Sequence, residues 1–416
     1  MDKFVPSAIA AVIASTLATN ALANDFELPD GMERIVVTAT GFEQKLTEAP
    51  ASISIITNEE IRSRSFTSLL DAVKYQEGID IGTSRDKTGQ GSISMRGLTG
   101  DYTLILVDGI RQNNHGDIYP NNFGGNAFNH IPPLETIDRI EVIRGPASTL
   151  YGADALGGVI NVITKKHTDD WSGAITFGRS VQTDDNFGDD FTTDFSATGS
   201  LIKDVLSLGV RASLYDQQAS SPQFEPAVDP NGTVHIRELG FGSGGRTVDN
   251  KDEHYGFSVS YTPAKGHNVK FDYDNSHQSY DNTPSYDVET DTITYPLGTK
   301  DSIESIWQAR GGQVNPRAGY AADQSFDRTW WSIAHDADWS FGSSMVSLAY
   351  VDTQNNGRTL PLSVDERLLL QQMYDGTGDY SGLPEDERRS IAEEIFLPRP
   401  DRPLDSSQYT LDAKLD

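Results

Sequence analysis

From residue 171 onward the chain alternates apolar and polar positions with a period of two. In 205–215, Leu206, Leu208, Val210, Ala212 and Leu214 share one face and Ser207, Gly209, Arg211 and Ser213 the other. Tyr255, Phe257, Val259 and Tyr261 repeat the pattern, and Val269, Phe271 and Tyr273 alternate with Lys270, Asp272 and Asp274. Trp331, Ile333, Ala337 and Trp339 follow, then Val346, Leu348 and Tyr350, and last Tyr409, Leu411, Ala413 and Leu415. This pattern predicts strands with one apolar and one wet face. The connections alternate as well: 203–204, 263–267 and 342–344 are tight, whereas 217–252, 277–327 and 353–406 are long and polar. A soluble sandwich produces the same alternation strand by strand. Short turns at one end and long loops at the other predict instead a transmembrane antiparallel β-barrel, of which about eight strands lie in 167–416.

Residues 41–166 carry a different pattern. Ala51–Ile56 is a short β-prone string, and Thr57-Asn-Glu-Glu60 has the capping-box spacing that opens a helix. Ile61, Leu69, Leu70 and Val73 continue as an interrupted apolar face, closed by Glu77-Gly78. Ser92–Gly97 and Thr103–Val107 read as strands, the second ending in the turn dipeptide Asp108-Gly109. Arg139–Ile143 and Val159–Ile163 flank a turn-rich link. There Gly145-Pro146 ends one strand, and Gly157-Gly158 lets the backbone pass close to a neighbour. Together these predict a small mixed sheet with helices, a globular α+β domain. Between Val107 and Ile131 lies a long stretch of interleaved amides, aromatics and one Arg (Arg111, Tyr119, Phe123, Asn126, Phe128), a composition suited to a planar polar ligand.

Composition narrows the classes. The 416 residues carry 33 basic and 61 acidic side chains, a formal charge of −28, with no cysteine. This acidic balance argues against nucleic acid as a partner. A mean hydropathy of −0.45 would suit a soluble protein, but barrel strands keep the average low while sitting in a membrane. Lys3, the apolar run Ala8–Ala18 and the Ala21-Leu22-Ala23 site read as a secretory signal over 1–23, with the mature chain starting at Asn24. The acid clusters Asp184-Asp185, Asp189-Asp190 and Glu385-Asp386-Glu387 read as solvated loops. No His-Glu-x-x-His, no Gly-x-Ser-x-Gly and no cysteine nucleophile is present, so the sequence gives no enzyme and no resident metal site.

Three ordered strings carry a family resemblance: Thr103–Gly109, Arg139–Pro146 with its continuation to Lys166, and Tyr151–Gly158. They resemble successive plug motifs of TonB-dependent outer-membrane receptors, closest in wording to ferric catecholate siderophore receptors of the colicin I and enterobactin type. The resemblance implies a plug over 41–166 inside a barrel in the outer membrane of a Gram-negative bacterium. Family barrels have about 22 strands, and eight would leave no room for a plug. The expectation is therefore a receptor of which this chain covers the plug and the first part of the barrel, as an N-terminal fragment or a truncated gene product.

The resemblance also assigns roles. Glu33, Arg34, Ile35, Val36, Val37, Thr38 and Ala39 lie in the mobile segment 24–40 and are similar to the TonB box. That box pairs as an added strand with the periplasmic energy-transducing protein. Arg85, Arg111, Tyr119, Phe123 and Phe128 are expected on the plug apex as contacts to the cargo, a ferric siderophore whose iron is carried and not held as a cofactor. Arg96 and Arg144 are expected to hold the plug against barrel carboxylates. Membrane lipid, colicins and phage are the further partners implied. The alternatives are haem uptake, with His115 or His130 paired with His235 or His277, and a passive pore or adhesin, which would need no energy coupler.

Overall fold

The computed structural model describes residues 35–36, 44–45, 52–64, 66, 68–82, 91–98, 100–112, 131–166, 169–235, 246–288, 292–297, 302–314, 316 and 319–415. The signal segment, most of the box-like segment (Glu33, Arg34, Val37, Thr38, Ala39), and Arg85, His115, Tyr119, Phe123, Phe128 and His130 lie outside them.

The N-terminal domain is a five-stranded mixed sheet. Its strands are β1 (Ser52–Thr57), β2 (Thr103–Val107), β3 (Ile110–Arg111), β4 (Ile137–Arg144) and β5 (Gly158–Thr164), in the order β1-β4-β5-β2-β3. Only the β2–β5 pair is parallel. Helix α1 (Asn58–Ser63) starts where the capping box places it, with the Thr57 side chain accepting from the Glu60 N–H. Together with α2 (Leu69–Val73) it lays Ile61, Leu69, Leu70, Ala72 and Val73 on one sheet face, against Ile56, Ile140, Val142, Ile160 and Val162. The opposite face holds a smaller core of Leu104, Leu106, Ile143, Tyr151, Ala155 and Val159. Of the strand expected over Ser92–Gly97 only Ser94–Met95 forms, because Arg96 and Gly97 turn the chain through positive φ.

The second part is one antiparallel meander. Strands β6 (Ser172–Ser180), β7 (Asp190–Ile202), β8 (Leu206–Gln217), β9 (Asn250–Ala264), β10 (His267–Asp281), β11 (Tyr320–Trp339), β12 (Gly342–Arg358) and β13 (Leu404–Leu415) pair in sequence order. The sheet is open, with β6 and β13 as its edges. Phe177, Tyr255, Phe257, Ile333, Val346, Tyr409 and Leu411 stand exposed on its outer face, the apolar side that a bilayer covers in a transmembrane barrel. Asp272, Asp274, Ser276, Gln278, Arg328, Ser332, Ser347 and Thr353 point inward and are buried.

Two features depart from expectation. Strands β9 to β12 run 15, 15, 20 and 17 residues, whereas about 9–11 cross a bilayer. Their outer parts fall in stretches that read as long polar loops, because beyond the hydrocarbon both faces meet water and the alternation disappears. Nor is Glu385-Asp386-Glu387 a loop: it is the first turn of α4 (Glu385–Phe396), where carboxylates face the positive end of the helix dipole. That helix packs with α3 (Val364–Asp375), opened by a Ser363/Glu366 capping box, and with the segment Ile303–Ile306 from the preceding outer connection.

Gly157 and Gly158 are required by close approach. A Cβ on Gly157 would lie 3.0 Å from the Tyr102 carbonyl oxygen, and one on Gly158 2.3 Å from the Ile143 oxygen and 2.0 Å from Met95 Sδ. Gly158→Ala is expected to destabilise the domain by about 1–3 kcal/mol through overpacking, read as a lowered thermal midpoint of the purified protein in detergent.

Candidate functional site: the plug–barrel junction

Where the N-terminal domain meets the sheet, the contact is built by the β2–β3 turn. Asp108 and Gly109 form that turn, with the Gly109 N–H donating to Asn161 Oδ1 (3.1 Å) and the Thr164 N–H to Asp108 Oδ1 (2.8 Å). The other carboxylate oxygen accepts from the Thr164 hydroxyl (2.6 Å) and from Lys270 Nζ on β10 (2.5 Å). Burial alone would push the Asp108 carboxyl up. The Lys270 ammonium and the two Thr164 donors outweigh it and hold the group below the usual carboxylate range.

Lys270 continues into the sheet wall. It lies 3.0 Å from Asp272, which accepts from Arg211 Nη2 at 2.5 Å, and Arg211 also binds Asp274. His254 Nε2 stands 2.8 Å from Asp274 Oδ1. Each charge in this row has an opposite neighbour, the condition under which buried ions are tolerated.

Two residues further along the chain, Ile110 enters an apolar patch of Trp330, Ala334, Met345, Ala349 and Val351 on β11 and β12. Burying a side chain of that size contributes roughly 2 kcal/mol. Gln112 then receives Arg328 Nη2 on both its backbone oxygen (3.3 Å) and Oε1 (3.0 Å). The β2–β3 turn is thus held by one ion pair, one apolar insertion and one forked hydrogen bond.

The residues expected at this junction lie elsewhere. Arg144 pairs with Glu77 of its own domain (3.3 Å) and donates to the Glu77 carbonyl. The Arg96 guanidinium lies beside Gly145, within the same domain. Arg111, expected at the cargo, binds Asp154 (2.8 Å) and the Tyr151 carbonyl, while Lys414 of β13 sits over the Tyr151 ring at 4.9 Å. His277 is taken up by Asp327 (2.6 Å), and His235 contacts Asp229 (3.4 Å). Ile35–Val36 pairs antiparallel with Gln44–Lys45.

Between α1, α2 and the 131–135 segment on one side and strands β6 to β9 on the other, a cavity of about 840 Å³ remains. Asp71, Glu135, Asp190, Asp194 and Asp252 line it, with Arg62 as their counter-charge.

Because the Asp108 pKa is lowered in the folded state, its contribution is full above the ordinary carboxylate value, about 4, and is lost as pH falls through the lowered one. Asp108→Asn should remove about 2 kcal/mol of seating energy. In limited proteolysis of membrane-embedded protein, the wild type should gain plug cleavage only at pH below the usual carboxylate range, and the variant at neutral pH as well.

Comparison with known proteins agrees with this architecture. Residues 45–159 match the TonB-dependent Receptor Plug Domain. The iron-regulated outer membrane virulence protein of Vibrio cholerae is 44% identical over 213 residues, covering 50% of this chain and 32% of that protein. The ferric enterobactin receptor PirA of Pseudomonas aeruginosa is 30% identical over 368 residues, 82% of this chain and 44% of that one. The crystal structure of the siderophore receptor PirA from Acinetobacter baumannii superposes with a TM-score of 0.56 at 24% identity, over 86% of this chain and 44% of that one. The chain thus spans less than half the length of each. Over residues 45–159 the chain thus carries the plug domain of TonB-dependent receptors, seated on a membrane-type meander, and the relatives it resembles are outer-membrane receptors.

Proposed function

We propose that the receptor containing this chain binds a ferric siderophore of the catecholate class at the outer surface and imports it with energy from a TonB-type periplasmic coupler. The observation that carries the reading is the junction: a plug whose β2–β3 turn docks on the lumen wall through the Asp108–Lys270 pair, the Gln112–Arg328 hydrogen bonds and the insertion of Ile110. Such a plug blocks a passive path and can be moved by a pull of modest size. A passive pore has no use for it.

The catecholate assignment is supported by the wording of the plug motifs and by the similarity to a ferric enterobactin receptor over most of this chain. Iron in this reading is cargo. The coupler would engage the segment around Ile35 and Val36, which already forms a short strand with Gln44–Lys45 and would offer a backbone edge for strand addition.

The test is uptake of radiolabelled iron from ferric enterobactin in cells carrying the full receptor or its Val36→Pro variant. Proline removes a strand-pairing N–H. Transport should therefore fall to background while surface binding stays at the wild-type level. Equal uptake by both forms would overturn coupled import, and uptake by neither would overturn the cargo.

A further inference from the structure

The β9–β10 and β11–β12 connections are the short ones, at the end of the sheet that faces the periplasm in an outer-membrane barrel. On the outer face of β11, Trp331 and Trp339 bracket the length of strand, about 9–11 residues, that crosses a bilayer. Trp339 therefore marks the periplasmic rim, where aromatic rings gather. Phe341, in the turn and exposed, stacks on it with ring centres 6.1 Å apart.

Two imidazoles are set into this rim. His267 of β10 is opposite Ala337 of β11, and His335 of β11 is opposite Val269 of β10, so the two histidines are diagonal neighbours on the outer face. His267 Nδ1 lies 3.3 Å from His335 Nε2, and the His267 ring meets the Trp339 ring edge-on at 4.9 Å. The neighbouring outer-face positions, Val269, Phe271, Tyr273, Ile333 and Ala337, carry no charge. Asp336 and Asp338 alternate to the inner face, where Asp338 accepts from the Ser343 hydroxyl at 3.0 Å.

One proton shared between the facing nitrogens satisfies only half of the pair. Each imidazole keeps a second ring nitrogen, and one further proton makes both of these donors under a single positive charge. Hydrocarbon offers such donors nothing. At headgroup depth the cost of a charge on the lipid face falls to about 0–1 kcal/mol, and a phosphate can accept from them. Lys265 supplies another cation: it sits in the β9–β10 turn beside His267, exposed and with no carboxylate partner among the described residues. Lys203, in the β7–β8 turn, is by contrast held by Asp169 at 3.3 Å. The chain has 61 acidic and 33 basic side chains, so basic groups gathered here with no acid on their face stand out against its general surface.

We propose that His267, His335 and Lys265 form a phosphate site at the periplasmic rim of the barrel, occupied by the headgroup of a phospholipid of that leaflet. The imidazoles and the ammonium donate to the phosphate oxygens, and Trp339 and Phe341 pack against the start of the acyl chains. Continuity with the apolar outer face selects a lipid over a soluble phosphate, because the chains continue along Val269, Phe271 and Ile333. The site ties the β9–β10 and β11–β12 turns to one lipid molecule. It rests on the membrane-spanning reading of the sheet and is independent of the cargo.

The experiment is native mass spectrometry of the purified full receptor in detergent, titrated with dioleoyl phosphatidylglycerol. Dioleoylglycerol, with the same chains and no phosphate, is the second probe, inorganic phosphate the competitor, and thermal midpoints are measured in parallel. The wild type should bind the phospholipid about tenfold more tightly than dioleoylglycerol, and the double variant His267→Gln, His335→Gln should lose that advantage. Lys265→Gln should weaken binding severalfold at an unchanged thermal midpoint, and Lys203→Gln should leave it as it is. Equal binding of the two lipids by the wild type overturns the site. So does unchanged affinity in the double variant, or a loss there that is matched by a lowered thermal midpoint while Lys265→Gln binds normally, which marks a packing role. An equal loss in Lys203→Gln identifies a general attraction of basic turns for anionic lipid and overturns it as well. Displacement of the lipid by millimolar inorganic phosphate overturns the lipid as occupant.

Discussion

Every backbone N–H and C=O that enters hydrocarbon must be bonded within the protein, because no water is there to replace a missing partner. Within the meander of β6 to β13 each inner strand meets this requirement by pairing with both neighbours in sequence, and the edge strands β6 and β13 meet it on one side. The alternation follows from the same constraint. With the backbone consumed by the ladder, side chains alone face the two solvents, apolar outward and polar inward. A polar lumen then cannot hold its plug by hydrophobic burial alone. The junction is accordingly mixed, with Asp108–Lys270 and Gln112–Arg328 on either side of the apolar insertion of Ile110.

The distribution of charge on the inner face follows from burial. Lys270, Asp272, Arg211, Asp274 and His254 form a continuous row across three strands. Removing one member would strand its neighbours, so the row behaves as a unit. Asp108 extends it into the plug, and the seating of the plug is thereby coupled to the electrostatics of the wall. The turn that carries Asp108 is fixed from within the plug by Asn161 and Thr164 on β5. Displacing the plug therefore disturbs a wall residue and the plug's central strand together.

Much of this was legible in the sequence, and the limits have physical causes. The plug strands other than Ser92–Gly97, the α1 cap and the close approach at Gly157-Gly158 are local signals, and they hold in the structure. The membrane strands were legible where one face meets lipid and were lost where both faces meet water, which is why the outer halves of β10 and β11 read as loop. Helix α3 had a readable start in Ser363-x-x-Glu366, but its leucines were submerged in a long polar stretch. The junction was out of reach: Asp108 and Lys270 are 162 residues apart, and nothing local distinguishes Lys270 from any other inward lysine. Arg111 had the right chemistry for a ligand contact but is held by Asp154, a pairing that only the fold of the Ser148–Ala155 link creates.

The outer lobe bears on how cargo would be met. Ile306, Trp307, Leu362, Leu370, Met373, Ala392 and Phe396 form a core that joins two outer connections. Arg399 to Ser305, Arg389 to Glu304, and Gln371 to the Val314 N–H and the Gly312 carbonyl tie them further. Long loops ordered only by a ligand would subtract their conformational entropy from its affinity. Here two of them are ordered by their own core before anything binds, and that cost is met in folding. The same ties consume arginines: Arg388 caps the carbonyls of Met373 and Tyr374, and Arg399 is buried.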